Sequence, residues 1–142
     1  MKQTDKLGVI ADDLTGANDT GVQFSKRGLR TIVVMDVDSI GRLADGADVV
    51  VIDTDSRWCD PIAACSRVRA AAEYLRRVGI STVYKKIDST LRGNVGVELD
   101  AVMDVFKAKV AFVVPAFPAT GRVTIDGNQL LRSIPLAEAE VA

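Results

Sequence analysis

Two adjacent carboxylates, Asp12 and Asp13, stand directly after an apolar run. Like charges side by side are costly unless a cation or several donors compensate them, so the pair implies a nearby lysine, arginine or metal. It can accept hydrogen bonds from substrate hydroxyls, or one member can act as a general base. Equally, one aspartate can cap the following helix, with Thr15 and Gly16 completing a turn. A second polar stretch, DTDSR, runs from Asp53 to Arg57. Arg57 carries the fork of donors that clamps a carboxylate or phosphate, unless it is engaged in a structural ion pair with one of these aspartates. Trp58 beside it suits closure over a ligand or a core or interdomain contact.

The densest stretch is KKIDSTLRGN, which puts Lys85, Lys86, Asp88, Ser89, Thr90 and Arg92 ahead of Gly93. It supplies acceptors, hydroxyls and cations, and the glycine lets a backbone approach closely. Lys85 and Lys86 point to opposite faces if the preceding strand persists, so one of them reaches the site. A helix pattern begins just after, and helix N-terminal amides favour an anion. The last stretch, PAFPATGR, reads as rigid turn geometry and receives no catalytic role.

Other chemistries are excluded. There is no histidine, which rules out Ser-His-Asp and Cys-His nucleophile systems within this chain and leaves proton transfer to carboxylates, lysines or a cysteine. Cys59 and Cys65 lack a CxxC spacing, which argues against zinc and, with no disulfide framework, for a reducing, cytoplasmic setting. A net charge of −1 gives no general attraction for nucleic acid or an anionic membrane, so an anion site must be local. The polar start MKQTDK has no signal-peptide core, and runs such as VAFVVPAF are too short to span a bilayer. Neither a G-x-x-x-x-G-K-[ST] nor a G-x-G-x-x-G stretch offers a nucleotide phosphate cradle.

Positioning these stretches requires alternating strands and helices. Val- and Ile-rich runs at Leu7–Ala11, Thr31–Met35, Asp48–Asp53, Thr82–Ile87 and Val110–Pro115 read as strands. Between them lie an amphipathic helix ending at Gly28, a second opened by Asp60-Pro61 and closed by Gly79, and a third after Asn94, a candidate cap. The 142 residues, 48% of them hydrophobic, suffice for one globular domain. The pattern predicts an α/β fold: an open, doubly wound, mostly parallel sheet of about five strands with flanking helices. RVTIDGNQLL adds a C-terminal β-hairpin turning at Asp126-Gly127. In such sheets ligands bind outside the carboxyl ends of the strands, where every one of the dense stretches falls.

Taken together, ADDLTGANDTGVQFSKRG, DTDSR, KKIDSTLRGN and PAFPATGR resemble the N-terminal, sugar-binding domain of the four-carbon acid sugar kinase family. The resemblance runs from Val9 to about Glu140. It implies a two-domain kinase that uses ATP and Mg²⁺ to phosphorylate erythronate, threonate or 3-oxo-tetronate, with a separate C-terminal domain for the nucleotide. Residues 1–142 would then be the acid-sugar-binding domain, truncated before the nucleotide-binding domain, binding no cofactor and inactive alone, with self-association through the surface left exposed. By motif position, Asp12, Asp13, Arg57, Lys85, Lys86 and Asp88, with Ser89, Thr90 and Arg92, would line the pocket. Asp13 or Asp88 would orient or deprotonate the attacking hydroxyl. No metal ligand is assigned, and neither nucleic acid nor membrane is an expected partner.

Two other readings stand beside this one. A phosphoacceptor receiver domain also uses an acidic pair after its first strand, an aspartate after the third and a hydroxyl after the fourth, as Asp12/Asp13, Asp53 and Ser89 do. It needs a lysine after the fifth strand, where VVPAFP has none, and leaves Arg57, Lys85 and Arg92 unexplained. A non-catalytic acid-sugar-binding protein is the other.

Overall fold

The computed structural model describes residues 6–36 and 46–140; the polar start of the chain and its last two residues lie outside them. Strands β1 (Leu7–Ala11), β2 (Thr31–Val34), β3 (Val49–Asp53) and β4 (Thr82–Lys86) form one parallel sheet in the order β2-β3-β1-β4. Helix α1 (Leu14–Ser25) follows β1, α2 (Pro61–Arg77) links β3 to β4, and α3 (Val95–Phe106) follows β4.

The sheet is covered on both faces, and strand alternation sorts its side chains between two cores. Ile10, Val50 and Ile52 pack with Val68 and Leu75 of α2 and Val105 of α3. Val9, Ala11, Val49 and Val51 pack with Ala17 of α1. Burial on both sides is why β1 and β3 read as continuous apolar runs. Helix α2 starts as its sequence dictates: the Asp60 side chain accepts from the amides of Ile62 and Ala63, both at 3.0 Å, and Pro61 fills the first turn.

From β1 the chain runs out to β2, returns through β3, and then crosses to β4 on the other side of β1. The reversal between β1 and β4 opens a crevice at their carboxyl ends, the usual ligand position in open α/β sheets.

The expected fifth strand does not join this sheet. Residues Val110–Pro115 form no strand, and Phe112 and Val114 are 93% and 74% exposed. Apolar composition reports a tendency to be buried, whereas a strand also needs backbone pairing, and among the described residues nothing from 110–115 pairs with the outer edge of β4. The C-terminal hairpin is present as β5 (Arg122–Ile125) and β6 (Asn128–Leu131), extended by a short β7 (Ile134–Pro135) into a three-stranded antiparallel sheet. Its turn has Asp126 at φ 48° and Gly127 at φ 78°, the two left-handed positions of a tight hairpin turn.

Candidate functional site

The carboxyl ends of β1 and β4 and the loop after β3 open onto a cleft of about 1120 Å³, lined by Asp13, Arg57, Lys86, Asp88, Ser89 and Arg92 among others. Lys85, Asp12 and Thr90 are not part of its lining.

The acidic pair is neutralised from within the fold. Arg57 Nε donates to Asp12 Oδ2 at 2.7 Å and Nη1 to Asp13 Oδ2 at 2.6 Å, while Nη2 bridges Asp12 Oδ1 at 3.1 Å and Asp13 Oδ1 at 2.8 Å. Every carboxylate oxygen of the pair is thus engaged by one guanidinium. The backbone sets this geometry, since the Asp12 carbonyl accepts from the amides of Ser56 and Arg57 and ties the β3 loop to the end of β1. Asp13 also caps α1, its Oδ1 accepting from the Gly16 amide at 2.9 Å. Burial would lower the affinity of Arg57 for its proton, but the hydrogen bond and charge of Asp12, with Asp13 and Asp88, raise it above the ordinary value.

This arrangement also bears on the receiver alternative. The acidic pair would have to be free for a divalent cation, yet Arg57 occupies it. Among the described residues, no three carboxylate, histidine or cysteine side chains converge to hold a metal ion. Asp53, buried and hydrogen-bonded to the Asp55 amide at 2.9 Å, has its carboxyl pushed up by burial and by the charges of Asp55, Asp13 and Asp12.

Asp88 organises its own loop. Its carboxylate accepts from the Thr90 hydroxyl, the Thr90 amide (3.2 Å), the Arg92 amide (3.3 Å), Arg92 Nε (2.9 Å) and Arg92 Nη2 (3.2 Å). Burial alone would raise its pKa, but the hydrogen bonds from Arg92 and Thr90 outweigh that and hold the carboxyl well below the usual aspartate range. The turn closes through Leu91 at φ 58° and Gly93 at φ 89°. A Cβ on Gly93 would stand 3.1 Å from Arg57 Cγ and 3.3 Å from the Arg57 carbonyl, so this loop lies directly against the arginine.

The two lysines part company as strand alternation demands. Lys86 lines the cleft, its Nζ donating to the Ile87 carbonyl at 2.8 Å. Lys85 turns to the opposite face and pairs with Glu98 of α3 at 2.7 Å, both side chains almost wholly buried. Lys85 is therefore not a pocket residue; it belongs to a dry network beneath the loops. Glu98 accepts from Ser56 Oγ at 2.5 Å, and Ser56 Oγ lies 2.8 Å from Thr54 Oγ1, which is bonded to the Ala11 carbonyl. Ser56 precedes Arg57, so this network fixes the loop that aims the guanidinium.

Sequence reasoning passed over Glu98, although a signal existed: it shares one helical stripe with the buried Ala101, Val102 and Val105. Asn94 stands at the N-cap of α3 without capping it; its side chain instead donates to the carbonyls of Ser56 (3.2 Å) and Cys59 (2.9 Å). Trp58 stands largely exposed outside the cleft, so no core contact holds it. Thr90 serves Asp88 from a buried position, while Ser89 lines the cleft and accepts from Gln129 Nε2 of β6 at 2.9 Å.

Comparison with known proteins covers almost the whole chain. Residues 7–142 match a family model described as a sugar-binding N-terminal domain. The chain is 45% identical over 138 residues to a D-threonate kinase of Salmonella typhimurium, covering 96% of this chain and 32% of that protein. It is 45% identical over 139 residues to a D-erythronate kinase of Heliobacterium modesticaldum, covering 94% and 31%. Against a 3-oxo-tetronate kinase of Methylobacterium radiotolerans it is 42% identical over 137 residues, covering 94% and 32%. Among solved structures, a domain of unknown function from Bordetella bronchiseptica, a domain-swapped dimer with bound citrate, superposes with a TM-score of 0.88 at 36% identity, covering 94% of this chain and 35% of that one. The chain spans about a third of the length of the curated relatives it matches.

Proposed function

The chain belongs to the sugar-binding N-terminal domain family, and from that premise we propose that it is the acid-sugar-binding part of an ATP-dependent kinase for four-carbon acid sugars: erythronate, threonate or 3-oxo-tetronate. The observation that carries this reading is the convergence of Asp13, Lys86, Asp88, Ser89 and Arg92 on one cleft at the carboxyl ends of β1 and β4. Acceptors, a hydroxyl and cations at one site suit a ligand with several hydroxyls and one negative charge. Sites built to pair with hydroxyls strongly reject ligands that lack them. The Bordetella structure carries citrate, itself a hydroxy acid.

Between the two candidate carboxylates, Asp13 is the better placed to orient the attacking hydroxyl. Both are engaged, Asp13 by Arg57 and the Gly16 amide and Asp88 by Arg92 and Thr90. But the Asp88 side chain is the more enclosed, 12% exposed, and holds a proton weakly, which makes it a poor base. Asp13 reaches the cleft from the N-cap of α1 with its side chain a quarter exposed. Phosphoryl transfer asks more for positioning than for a strong base, and an aspartate accepting the hydroxyl proton in a hydrogen bond meets that demand. We assign ATP and Mg²⁺ to a separate nucleotide-binding C-terminal domain, without which residues 1–142 are inactive. Cytoplasmic location and self-association belong to the same proposal; free Cys59 and Cys65 accord with a reducing compartment. No helix among the described residues is long and apolar enough to cross a membrane.

Calorimetric titration with D-erythronate, D-threonate and L-threonate tests the reading. Stereoselective binding that Asp13→Asn weakens is expected. Absence of binding by the folded chain would overturn it. Stereoselective binding with no phosphorylation, even when the nucleotide-binding domain is supplied, would favour a non-catalytic acid-sugar-binding protein.

A further inference from the structure

We propose that Arg122, the first residue of β5, is the group that holds the carboxylate of the acid sugar, in place of Arg57. This assignment rests on the acid-sugar reading above and names the end of the cleft at which the acid group sits.

Most cations around the cleft have no charge to spare. Arg57 directs its guanidinium at both Asp12 and Asp13, so it has no fork left for a ligand. That cluster keeps one net negative charge. Lys86 compensates it locally: a Cβ on Gly16 would lie 2.6 Å from Asp13 Oδ1 and 3.4 Å from Lys86 Nζ, so the two groups flank the same small space. Arg92 and Asp88 cancel one another through a two-point contact. Asp19 and Arg27, of opposite sign, sit on the solvent-facing rim.

Arg122 is the exception. It lines the same cleft, and no carboxylate among the described residues lies within ion-pair distance of it. Its Nη1 makes one long contact, 3.5 Å, with the Thr120 carbonyl. Its Nε is closed off from water and has no hydrogen-bond partner. A buried donor without an acceptor is unfavourable, and a carboxylate oxygen brought against it would satisfy it. The Nε–Nη edge of a guanidinium matches a carboxylate in a paired, planar geometry.

The backbone at Arg122 is built to hold position. Phe117 and Arg122 exchange amide-to-carbonyl bonds of 2.8 and 3.2 Å around the turn Pro118–Thr120, and Gly121 takes φ 77° to close it. Gln129 of the adjoining β6 ties this hairpin to the Ser89 carbonyl. The turn that the PAFPATGR motif encodes therefore presents a preorganised arginine to the cleft. One uncompensated positive charge matches the single negative charge of a four-carbon aldonate.

The test compares acids with the neutral polyols of the same skeleton. The protein is titrated with D-threonate, D-erythronate, threitol and erythritol, followed by amide and arginine Nε–H NMR, with Arg122→Met, Arg122→Lys and the rim control Arg27→Met. Arg122→Met is expected to weaken binding of the acids roughly 10- to 100-fold, the range for losing a charged hydrogen-bonding partner. Polyol binding should be unchanged, Arg122→Lys should recover part of the loss, and Arg27→Met should have little effect. In the unaltered protein the Arg122 Nε–H resonance should shift with D-threonate and stay still with threitol, a readout that survives even if Arg122→Met fails to fold. Acid binding that Arg122→Met leaves intact, an equal loss for acids and polyols, or an unmoved Nε–H resonance would overturn the assignment while leaving the acid-sugar site standing. If neither acid binds the unaltered protein, the acid-sugar reading falls and this assignment falls with it.

Discussion

Lys85 and Lys86 are neighbours in sequence and opposites in environment. On one face of β4, Lys85 joins Glu98, Ser56 and Thr54 in a network closed to water. On the other, Lys86 opens onto the cleft with Asp13 and Asp88. Strand alternation alone divides two identical side chains between architecture and recognition. The dry side is rigid and intolerant because each group there has lost its water, whereas the wet side can change partners when a ligand arrives. Arg57 spans the two, with Asp12 buried below and Asp13 at the cleft. Its removal would therefore disturb the fold as well as the site, which makes Arg57→Ala a poor test of ligand contact.

The largest break in this comparison should come from Glu98→Ala. It strands the Lys85 ammonium in a dry site and should cost about 3–5 kcal/mol, the range for removing one partner of a buried ion pair. Urea denaturation measures it; a loss as small as that of an exposed pair would mean water reaches the network. Next, Gly93→Ala forces a side chain into a left-handed position against Arg57, and a loss of about 1–3 kcal/mol is expected in the same assay.

Acid titration sharpens the contrast further. The Asp88 carboxyl is held below its ordinary value, so its contribution to stability is present above about pH 4, the unfolded aspartate value, and is lost as the pH falls through the folded one. Asp88→Asn should thus be less stable than the unaltered chain at pH 6, with the gap narrowing toward pH 3 in thermal melts. A gap of constant size would detach the effect from ionisation. The smallest stability change belongs to Lys86→Ala, below about 1 kcal/mol, because its ammonium stays near water. The same variant should weaken D-threonate binding by roughly tenfold in calorimetry, the scale of one charged hydrogen bond. A Lys86→Ala protein that unfolds like Glu98→Ala would erase the distinction between the faces.

Much of this was legible from residue types and order. Continuous apolar runs at β1 and β3 follow from burial on both faces, Asp60-Pro61 announces the start of α2, and Asp126-Gly127 announces the hairpin turn. Each is a local rule in which the residues that carry the signal also make the structure. The placing of the polar motifs after β1, β3 and β4 at the carboxyl end of the sheet was equally readable, since connectivity alone puts those loops on one edge, whereas PAFPATGR follows a run that forms no strand. The run at 110–115 has the composition of a strand but forms none, because composition reports an affinity for burial without naming a partner.

Spacing along the chain could not say which charges cancel. Asp12 and Arg57 are far apart in sequence yet meet at 2.7 Å, as do Lys85 and Glu98. An arginine with a carboxylate beside it and one without look alike in a sequence; only the packed structure separates Arg57, already neutralised, from Arg122, which is not. Local periodicity and strand order are enough to set the α/β architecture, the edge of the sheet that bears the chemistry, and the polar vocabulary of the site. Tertiary structure alone decided which of those residues face the cleft and which are buried as its support. That division depends on long-range contacts, where the free energy of a charge is set by neighbours distant in the chain.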